Sequence, residues 1–167
     1  MSESLENFTN IVKEDIKEAK TLFFSEAFKE EYLKDRREEK ELYHQLLLGR
    51  NRNQILEEFL LSSGQKKPVL LSAAKTIYQA TIMNLDEPLE IKVKREGWGY
   101  LVGRIKSDGT FLSLHKNTFQ AEDFEDGTLT IYADMKTIPK DGDIDHLIIQ
   151  TVYQTLQIEV VYKEQKS

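Results

Sequence analysis

The chain has 167 residues, a formal net charge of −6 and no cysteine. This length fits one domain, or a domain with an appendage. Hydrophobic residues make up 40% of the chain, which is too many for a disordered protein. The lack of thiols excludes disulfide bridges, thiolate metal sites and a cysteine nucleophile. General nucleic-acid binding is not expected, because residues 1–65 and residues 66–167 both carry more Asp and Glu than Lys and Arg.

The composition changes near Gly64, and this change predicts two domains. Residues 1–65 are rich in Glu, Lys, Leu and Phe and lack proline, whereas all three prolines and most glycines follow. The first composition is typical of helices, and the second is typical of strands and turns. We therefore predict a helical extension over residues 1–65 and a β-domain over residues 66–167. The polar connector Gln65-Lys66-Lys67-Pro68 marks the boundary.

The helical extension is predicted to contain two to three helices. The first spans about residues 4–24, since its apolar side chains recur every three or four residues and form one stripe. This stripe consists of Phe8, Val12, Ile16, Ala19 and Phe23. The second helix begins at the N-cap Ser25 and ends before Gly49, and a short third helix fills most of residues 51–64.

The β-domain is predicted to be an antiparallel immunoglobulin-like β-sandwich of about seven strands, which makes the fold class α+β. Leu89–Arg95 alternates apolar and charged residues most cleanly, and Asp-Gly turns separate later strands. The first strand, about Thr76–Ile82, is less defined, because Val69–Ala74 could also extend as a helix. The predicted core comprises Ile91, Val93, Leu101, Ile105, Phe111, Leu114, Leu129, Ile131, Ile148, Leu156, Ile158 and Val160.

The location of the protein is predicted from two features. No apolar run approaches the ~20 residues of a membrane span. The N-terminus is acidic, whereas a signal peptide begins with basic and then apolar residues. We expect a cytoplasmic protein without a membrane span, unless the chain is cut from a larger exported protein.

The β-domain also has a characteristic order of motifs. A glycine-flanked turn at Gly97–Gly99 precedes Leu101–Asp108, an aromatic residue follows at Phe111, and a turn at Gly142 precedes Ile148–Thr151. Over about residues 70–162 this order resembles bacterial immunoglobulin-like β-sandwich modules of the BACON-like type. It is also similar to sandwiches in large clostridial proteins of unknown function.

The resemblance implies a binding or spacer module, brings no catalytic residues and leaves the helices uncovered. The sequence departs from the family pattern at two points. Phe111 stands where the family typically has tryptophan, and Asp145-His146 replaces its usual glycine after Gly142.

Metal sites are not predicted. Asp141, Asp143 and Asp145 have the spacing of a calcium loop, but His146 and Val152 stand where such a loop needs glycine and glutamate. The three histidines of the chain contain no pair spaced for zinc.

Catalytic and cofactor-binding residues are not predicted either. The sequence lacks the glycine-rich phosphate loops and the nucleophile elbow of known enzyme classes. Acidic residues are abundant, but no pair is marked as convergent. We therefore predict a protein that is not an enzyme, and a small enzyme of an unrecognised type is the third alternative.

The predicted partner-binding residues are aromatic and apolar. Trp98 lies between two glycines, so it either covers the end of the sandwich or forms a stacking platform with Tyr100. The helical extension has more apolar residues than one stripe needs. These could pack on the sandwich, pair with a second copy or hold another protein. The residues of this group are Phe8, Val12, Phe23, Phe28 and Tyr32.

These patterns predict a non-catalytic interaction or scaffold module that needs no cofactor. The helices would bind a protein partner or a second copy of the chain, and the β-sandwich would be a rigid platform. The alternative from a different class is a carbohydrate-binding or envelope accessory module that binds a glycan through Trp98 and Tyr100.

Overall fold

A computed structural model describes residues 4–49 and 51–164 of the chain. The chain folds into two compact units. The helical unit extends through Pro68 and also contains Trp98–Tyr100, and the sandwich unit consists of Val69–Gly97 and the residues from Leu101 onward. The tripeptide Trp98–Tyr100 therefore belongs to the helical unit, although strands of the sandwich unit lie on both sides of it in the sequence.

The described part of the helical unit contains five short helices instead of the two to three predicted. They are α1 (Leu5–Glu14), α2 (Ile16–Phe23), α3 (Glu26–Tyr32), α4 (Arg37–Leu46) and α5 (Arg52–Ser62). Asp15 breaks the predicted first helix, because its extended backbone ends α1 while its carboxylate accepts a hydrogen bond from Glu18 N at 3.1 Å and caps α2. The predicted second helix is interrupted between Tyr32 and Arg37.

An aromatic cluster explains why the helices are short and turn sharply. The ring centroids of Phe8 and Phe28 are 4.7 Å apart, and those of Phe23 and Tyr43 are 4.9 Å apart. Phe59 on α5 completes the cluster, and all five side chains are buried. The Tyr43 hydroxyl donates a hydrogen bond to the Phe23 carbonyl oxygen, so the polar end of this ring is satisfied inside the core.

No described helix is long and apolar enough to cross a membrane.

The described part of the sandwich unit contains nine strands, two more than predicted. They are β1 (Leu70–Ala73), β2 (Ile77–Ala80), β3 (Leu89–Glu96), β4 (Val102–Ser107), β5 (Leu112–Leu114), β6 (Thr118–Gln120), β7 (Thr128–Met135), β8 (Ile144–Gln150) and β9 (Thr155–Tyr162). A four-stranded sheet has the order β1-β3-β7-β5, and a five-stranded sheet has the order β2-β9-β8-β4-β6.

The sheets form the expected immunoglobulin-like sandwich, with one departure from the antiparallel prediction. The segment that could have extended as a helix contains the strand β1, Leu70–Ala73, and the chain then leaves the four-stranded sheet to join the other as β2. There β2 pairs with β9 in parallel, with Ile77 beside Glu159 and Ala80 beside Tyr162, whereas the other pairs among the described strands are antiparallel. A short 3-10 turn, Ile82–Leu85, follows β2.

The core between the sheets contains most of the predicted residues. In β8, however, the residues that face the core alternate with the one that was predicted to do so. Leu147 and Ile149 are buried, whereas Ile148, which was predicted to be in the core, is only partly buried. The run Leu147-Ile148-Ile149 is apolar throughout, so alternation alone cannot assign its inner face. Leu114 and Leu156 lie at the margin of the core and pack against it.

Phe119 belongs to β6 and is buried. Its ring occupies the space above Gly103, since a Cβ atom at position 103 would lie 2.2 Å from Phe119 Cζ. A glycine on β4 thus allows a phenylalanine on the neighbouring strand to fill the core.

Candidate functional site

The five helical residues predicted to bind a partner are buried inside the helical unit itself. Phe8, Phe23 and Phe28 are fully covered, and Val12 and Tyr32 are nearly so. They contact one another and the rest of the helical core. Their apolar area is therefore used within one unit, and the exposed surface of the protein consists of other residues.

Trp98 and Tyr100 also make contacts within the helical unit. The ammonium groups of Lys66 and Lys13 lie 4.4 Å and 5.0 Å from the centroid of the Trp98 ring, which is a cation–π arrangement. The Tyr100 hydroxyl accepts a hydrogen bond from Asn51 Nδ2 at 3.3 Å. The tryptophan is thus part of the packing of the helical unit.

A buried ion pair lies beneath this tripeptide. The side chains of Lys66 and Glu57 are 1% and 3% exposed and form a salt bridge. Lys66 Nζ also donates a hydrogen bond to the Trp98 carbonyl oxygen at 2.6 Å. Gly99 has a φ of +100°, and a Cβ atom there would lie 2.7 Å from Lys66 Nζ. In the sequence Lys66 lies in the polar connector Gln65–Pro68, whose lysine-rich composition gives no sign of burial.

The sandwich unit has four edge strands, β1 and β5 on one sheet and β2 and β6 on the other. An edge strand presents backbone N–H and C=O groups that lack a neighbouring strand and can pair with another chain. We call an edge capped when a side chain of the same chain bonds to at least one of these outward groups.

The β1 edge is capped by Gln154. Its Nε2 donates to the Leu71 carbonyl oxygen at 2.6 Å, and its Oε1 accepts from Leu71 N at 2.8 Å. Ala74 N bonds to Lys92 O of β3, and in an antiparallel pair every second residue bonds to the neighbouring strand. Leu71 is an odd number of residues from Ala74, so its backbone N–H and C=O point away from β3. The glutamine amide therefore occupies both outward groups of this residue.

Asp145 caps the β5 edge from the inside of the sandwich. The buried carboxylate accepts hydrogen bonds from Phe111 N at 3.1 Å and Leu112 N at 3.0 Å through Oδ2, and from Asp108 N at 3.1 Å through Oδ1. These bonds satisfy the buried charge of Asp145 and hold its side chain toward the core of the sandwich. The β6 edge is capped at Gln120, whose N–H donates to Asp123 Oδ2 at 2.8 Å.

The β2 edge has no such cap among the described residues. Glu159 N donates to Thr76 O at 2.8 Å and Lys163 N to Ala80 O at 2.9 Å, so every second residue of β2 faces β9. Ile77 and Gln79 consequently point their N–H and C=O groups away from the sheet. Within residues 4–49 and 51–164, no hydrogen bond joins the backbone of either residue to another group.

The segment that carries this open edge is uncharged and exposes several apolar side chains. The segment from Thr76 to Leu85 contains no charged residue. The Ile77 side chain is 59% exposed, and the turn after β2 exposes Ile82, Met83 and Leu85. Exposed apolar clusters on a folded protein are typical of interaction surfaces. We call these four side chains, with the outward backbone groups of Ile77 and Gln79, the β2 edge site.

Two cavities lie at the opposite side of the sandwich, beside β6. Their volumes are about 1010 Å³ and 320 Å³, and both are bordered by His115, Lys116, Thr118, Phe119 and Asp123. His115 Nε2 lies 2.8 Å from Asp134 Oδ2, and the ring stacks on Tyr132. These contacts pair the titratable groups with one another and do not present a nucleophile and base toward a common point.

The acidic residues with calcium-loop spacing diverge. Asp145 turns into the core, Asp143 accepts from Lys140 N at 3.0 Å, and Asp141 accepts from Glu164 N at 2.9 Å. Elsewhere, His146 lies between Asp108 and Glu159, at 2.7 Å and 3.7 Å. No group of three or more metal-ligating side chains occurs in the part of the chain that the structure describes.

Comparison with known proteins gives a family and several structural similarities. A family model described as "Family of unknown function (DUF5717) N-terminal" matches residues 2–167. The sequence matches none of the curated proteins compared with it.

Three solved structures illustrate the structural similarities. The apo form of the Calx CBD1 domain is similar over 59% of this chain and 98% of its own, with 11% identity and a TM-score of 0.42. The E. coli chaperone DraB is similar over 57% and 55%, with 6% identity and a TM-score of 0.44. The PapD-like domain 7 of human CEP192 is similar over 61% and 91%, with 9% identity and a TM-score of 0.38.

Proposed function

The chain belongs to the DUF5717 N-terminal family, a family of unknown function, and we propose that it is a non-catalytic protein-interaction module. In this proposal an extended protein segment adds to the sandwich at the β2 edge site. The observation that carries the proposal is the difference between edges. Side chains of the same chain bond to outward backbone groups of Leu71 on β1, Leu112 on β5 and Gln120 on β6, whereas the outward groups of Ile77 and Gln79 lack a partner among the described residues.

Strand addition uses the two properties that this edge combines. Backbone hydrogen bonds to the edge supply affinity, and the side chains beside it supply specificity. Ile77 and Gln79 offer two N–H donors and two C=O acceptors, and an incoming strand would also cover the exposed apolar side chains of Ile77 and Met83. A charged or proline-containing edge would resist such pairing, and β2 has neither feature.

This proposal moves the binding surface from the helices to the sandwich. The aromatic residues of the helical extension are occupied by their own core, so the helical unit is proposed to be a scaffold. No contact of Trp98 or Tyr100 favours the glycan-binding alternative, since two lysine ammonium groups already lie over the Trp98 ring. The narrower likeness to BACON-like modules stays a prediction.

Site-specific photo-crosslinking in the cells that make the protein tests the proposal. A photoreactive phenylalanine analogue is placed at Gln79 on the open β2 edge or, as a matched control, at the exposed Ser72 on the capped β1 edge. We expect crosslinked protein adducts from position 79 and few from position 72. Equal adducts from both positions, or none from position 79, would contradict the proposal.

A second variant separates strand pairing from mere proximity. Gln79→Pro removes the outward N–H without breaking a bond to β9, because proline is tolerated at edge positions whose N–H faces outward. With the photoreactive group at Ile77, this substitution should reduce the adducts strongly, whereas the substitution Gln157→Ala on exposed β9 should leave them unchanged.

A further inference from the structure

The geometry of the β2 edge site points to its occupant: we infer that β2 pairs with β2 of a second copy of this chain, antiparallel about a twofold axis beside Tyr78. This inference rests on the proposed strand addition at the same site. It identifies the incoming segment by its chemistry and by its register.

The positions of the outward groups fit a twofold pairing. In an antiparallel pair, residues that exchange two hydrogen bonds alternate with residues that exchange none. The bonded residues are therefore two apart, as Ile77 and Gln79 are. An axis beside Tyr78 places Ile77 opposite Gln79 of the second copy, and Gln79 opposite its Ile77. Each of these two pairs exchanges two hydrogen bonds, which gives four hydrogen bonds in total. Together they use the two N–H and two C=O groups on the open edge of each copy.

The charge pattern is compatible with self-pairing. A twofold axis places each residue of a segment opposite a residue of the same segment, so a charge near the axis meets a like charge. Thr76–Leu85 contains no charge. The nearest cation, Lys75, would lie opposite the neutral Thr81 of the second copy, and its ammonium group lies 5.6 Å from the ring centroid of Tyr78 in its own copy. Each copy carries a net charge of −6, so moderate salt should strengthen the association by screening the repulsion between the copies.

The capped edges limit the size of the assembly. A pair formed through β2 consumes the open edge of both copies, and each of the other edges has one residue, Leu71, Leu112 or Gln120, already bonded to Gln154, Asp145 or Asp123. The interface is isologous and closes at two copies. Because four backbone bonds and one apolar turn make a small interface, we expect a dimer in concentration-dependent exchange with the monomer.

The register is tested by disulfide crosslinking, for which the chain is suited because it has no cysteine. Ile77→Cys protein is mixed with Gln79→Cys protein under mild oxidation. Bonded pairs place the Cα atoms about 5.5 Å apart, within the range of a disulfide. Each variant alone would place its two thiols on a diagonal about 7–8 Å apart. We expect the mixture to crosslink at least severalfold faster than either variant alone. Ile138→Cys, at a residue that is 64% exposed on another loop, is the control.

Sedimentation of the full chain supplies the independent readout. The wild-type mass should rise from 19.5 kDa toward twice that value as concentration increases. Ile77→Lys and Gln79→Pro should remain monomeric, and Ile138→Lys should behave as the wild type. Far-UV circular dichroism verifies that each variant is folded.

The outcomes separate this inference from the proposed function. A wild-type chain that stays monomeric, a dimer insensitive to both β2 variants, or a mixture that crosslinks no faster than the single variants would overturn self-pairing. If the photo-crosslinked adducts at position 79 then contain a different protein, strand addition stands and only the identity of the strand is rejected. If position 79 gives no adduct at all, both fail.

Discussion

The side-chain amide of Gln154 bonds to the backbone of Leu71 in the way that a neighbouring strand would. Its Nε2 donates to the carbonyl oxygen at 2.6 Å, and its Oε1 accepts from the N–H at 2.8 Å, across 83 residues of sequence. One side chain thus occupies both outward groups of a residue on an edge strand. The same sandwich leaves Ile77 and Gln79 of β2 without such bonds to any described residue, and this difference carries the proposed function.

Removing the Gln154 cap should open a second edge. Gln154→Ala exposes the N–H and C=O of Leu71, so we expect species larger than the assembly of the wild-type chain in sedimentation velocity. The loss of two hydrogen bonds should also lower the free energy of unfolding by about 1–2 kcal/mol. Gln157→Ala, on the exposed face of β9, should do neither. An unchanged size distribution for Gln154→Ala would show that the β1 edge is protected in another way.

The buried carboxylate of Asp145 should be a major source of stability. Asp145→Asn keeps the size but replaces one acceptor oxygen with an NH2 group that faces backbone N–H donors of β5. We expect the free energy of unfolding to fall by about 3 kcal/mol, because hydrogen bonds to a charged group are lost and buried donors are left unpaired. Urea unfolding measures this loss, and Asp86→Asn on the surface is the control. A similar effect of both substitutions would contradict the role of Asp145.

Substitutions of Lys66 and Glu57 should have strongly coupled effects on stability, because the two side chains form a buried ion pair. Lys66→Met removes the cation beside a buried carboxylate and should cost about 3–5 kcal/mol, whereas the double variant Lys66→Met/Glu57→Leu should recover a large part of that loss. Because Trp98 is the only tryptophan and lies against this pair, its fluorescence reports the unfolding of the helical unit. Additive effects in this double-mutant cycle would mean that the two side chains act independently.

Two glycines with positive φ should respond differently to alanine. At Gly64, φ is +78° and no atom lies within 4 Å of an added Cβ, so only the backbone cost of about 1 kcal/mol is expected. At Gly99, φ is +100° and the added Cβ would also displace Lys66 Nζ. Gly99→Ala should therefore destabilise the helical unit by about 1 kcal/mol or more beyond Gly64→Ala, measured by Trp98 fluorescence during urea unfolding. Equal losses would argue against close contact at Gly99.

Tyr43 should make stability depend on pH in the alkaline range. Burial, with a smaller contribution from the Glu26 carboxylate, raises the pKa of Tyr43 above its ordinary value of 10.0. The unfolded chain therefore loses this proton first, and the free energy of unfolding falls as pH rises above 10.0. Tyr43→Phe loses the hydrogen bond to Phe23 at neutral pH but removes this dependence.

We expect the stability difference between the wild-type chain and Tyr43→Phe to shrink as pH rises above 10.0. Chemical unfolding of both proteins at neutral and alkaline pH measures it. A difference that stays constant across this range would show that Tyr43 ionises equally well in the folded and unfolded states.

The sequence predicted the fold class because its signals are local. The alternation of Leu89–Arg95 and the Asp-Gly turns are properties of neighbouring residues, and β3 follows them closely. The helix breaks were missed because the apolar spacing continues across Asp15. Ile16, which the stripe places inside, is 43% exposed, since the chain changes direction there to close the aromatic cluster. The spacing of apolar residues indicates which side chains will be buried. The places where the helix axis changes direction depend on tertiary packing, which the spacing does not show.

The candidate site could be predicted only in part for the same reason. The uncharged segment from Thr76 to Leu85 is visible in the sequence, but its position at a sheet edge follows from topology. The capping of β1 depends on Gln154 and Leu71, which meet only after both sheets have formed. The excess of aromatic residues in the helices was recognised correctly, but a sequence cannot tell whether such residues are covered by their own unit or by a partner.

The place of Trp98 in the helical unit has a consequence for how the protein is made. Lys66 leaves the ribosome 32 residues before the carbonyl that it bonds. At ordinary rates of synthesis this interval lasts roughly two to six seconds. During that time the residues of the five described helices have been synthesised, but Lys66 and Glu57 lack the tripeptide Trp98–Tyr100, which lies against them in the folded unit. The N-terminal unit therefore completes its folding only after β3 has been synthesised.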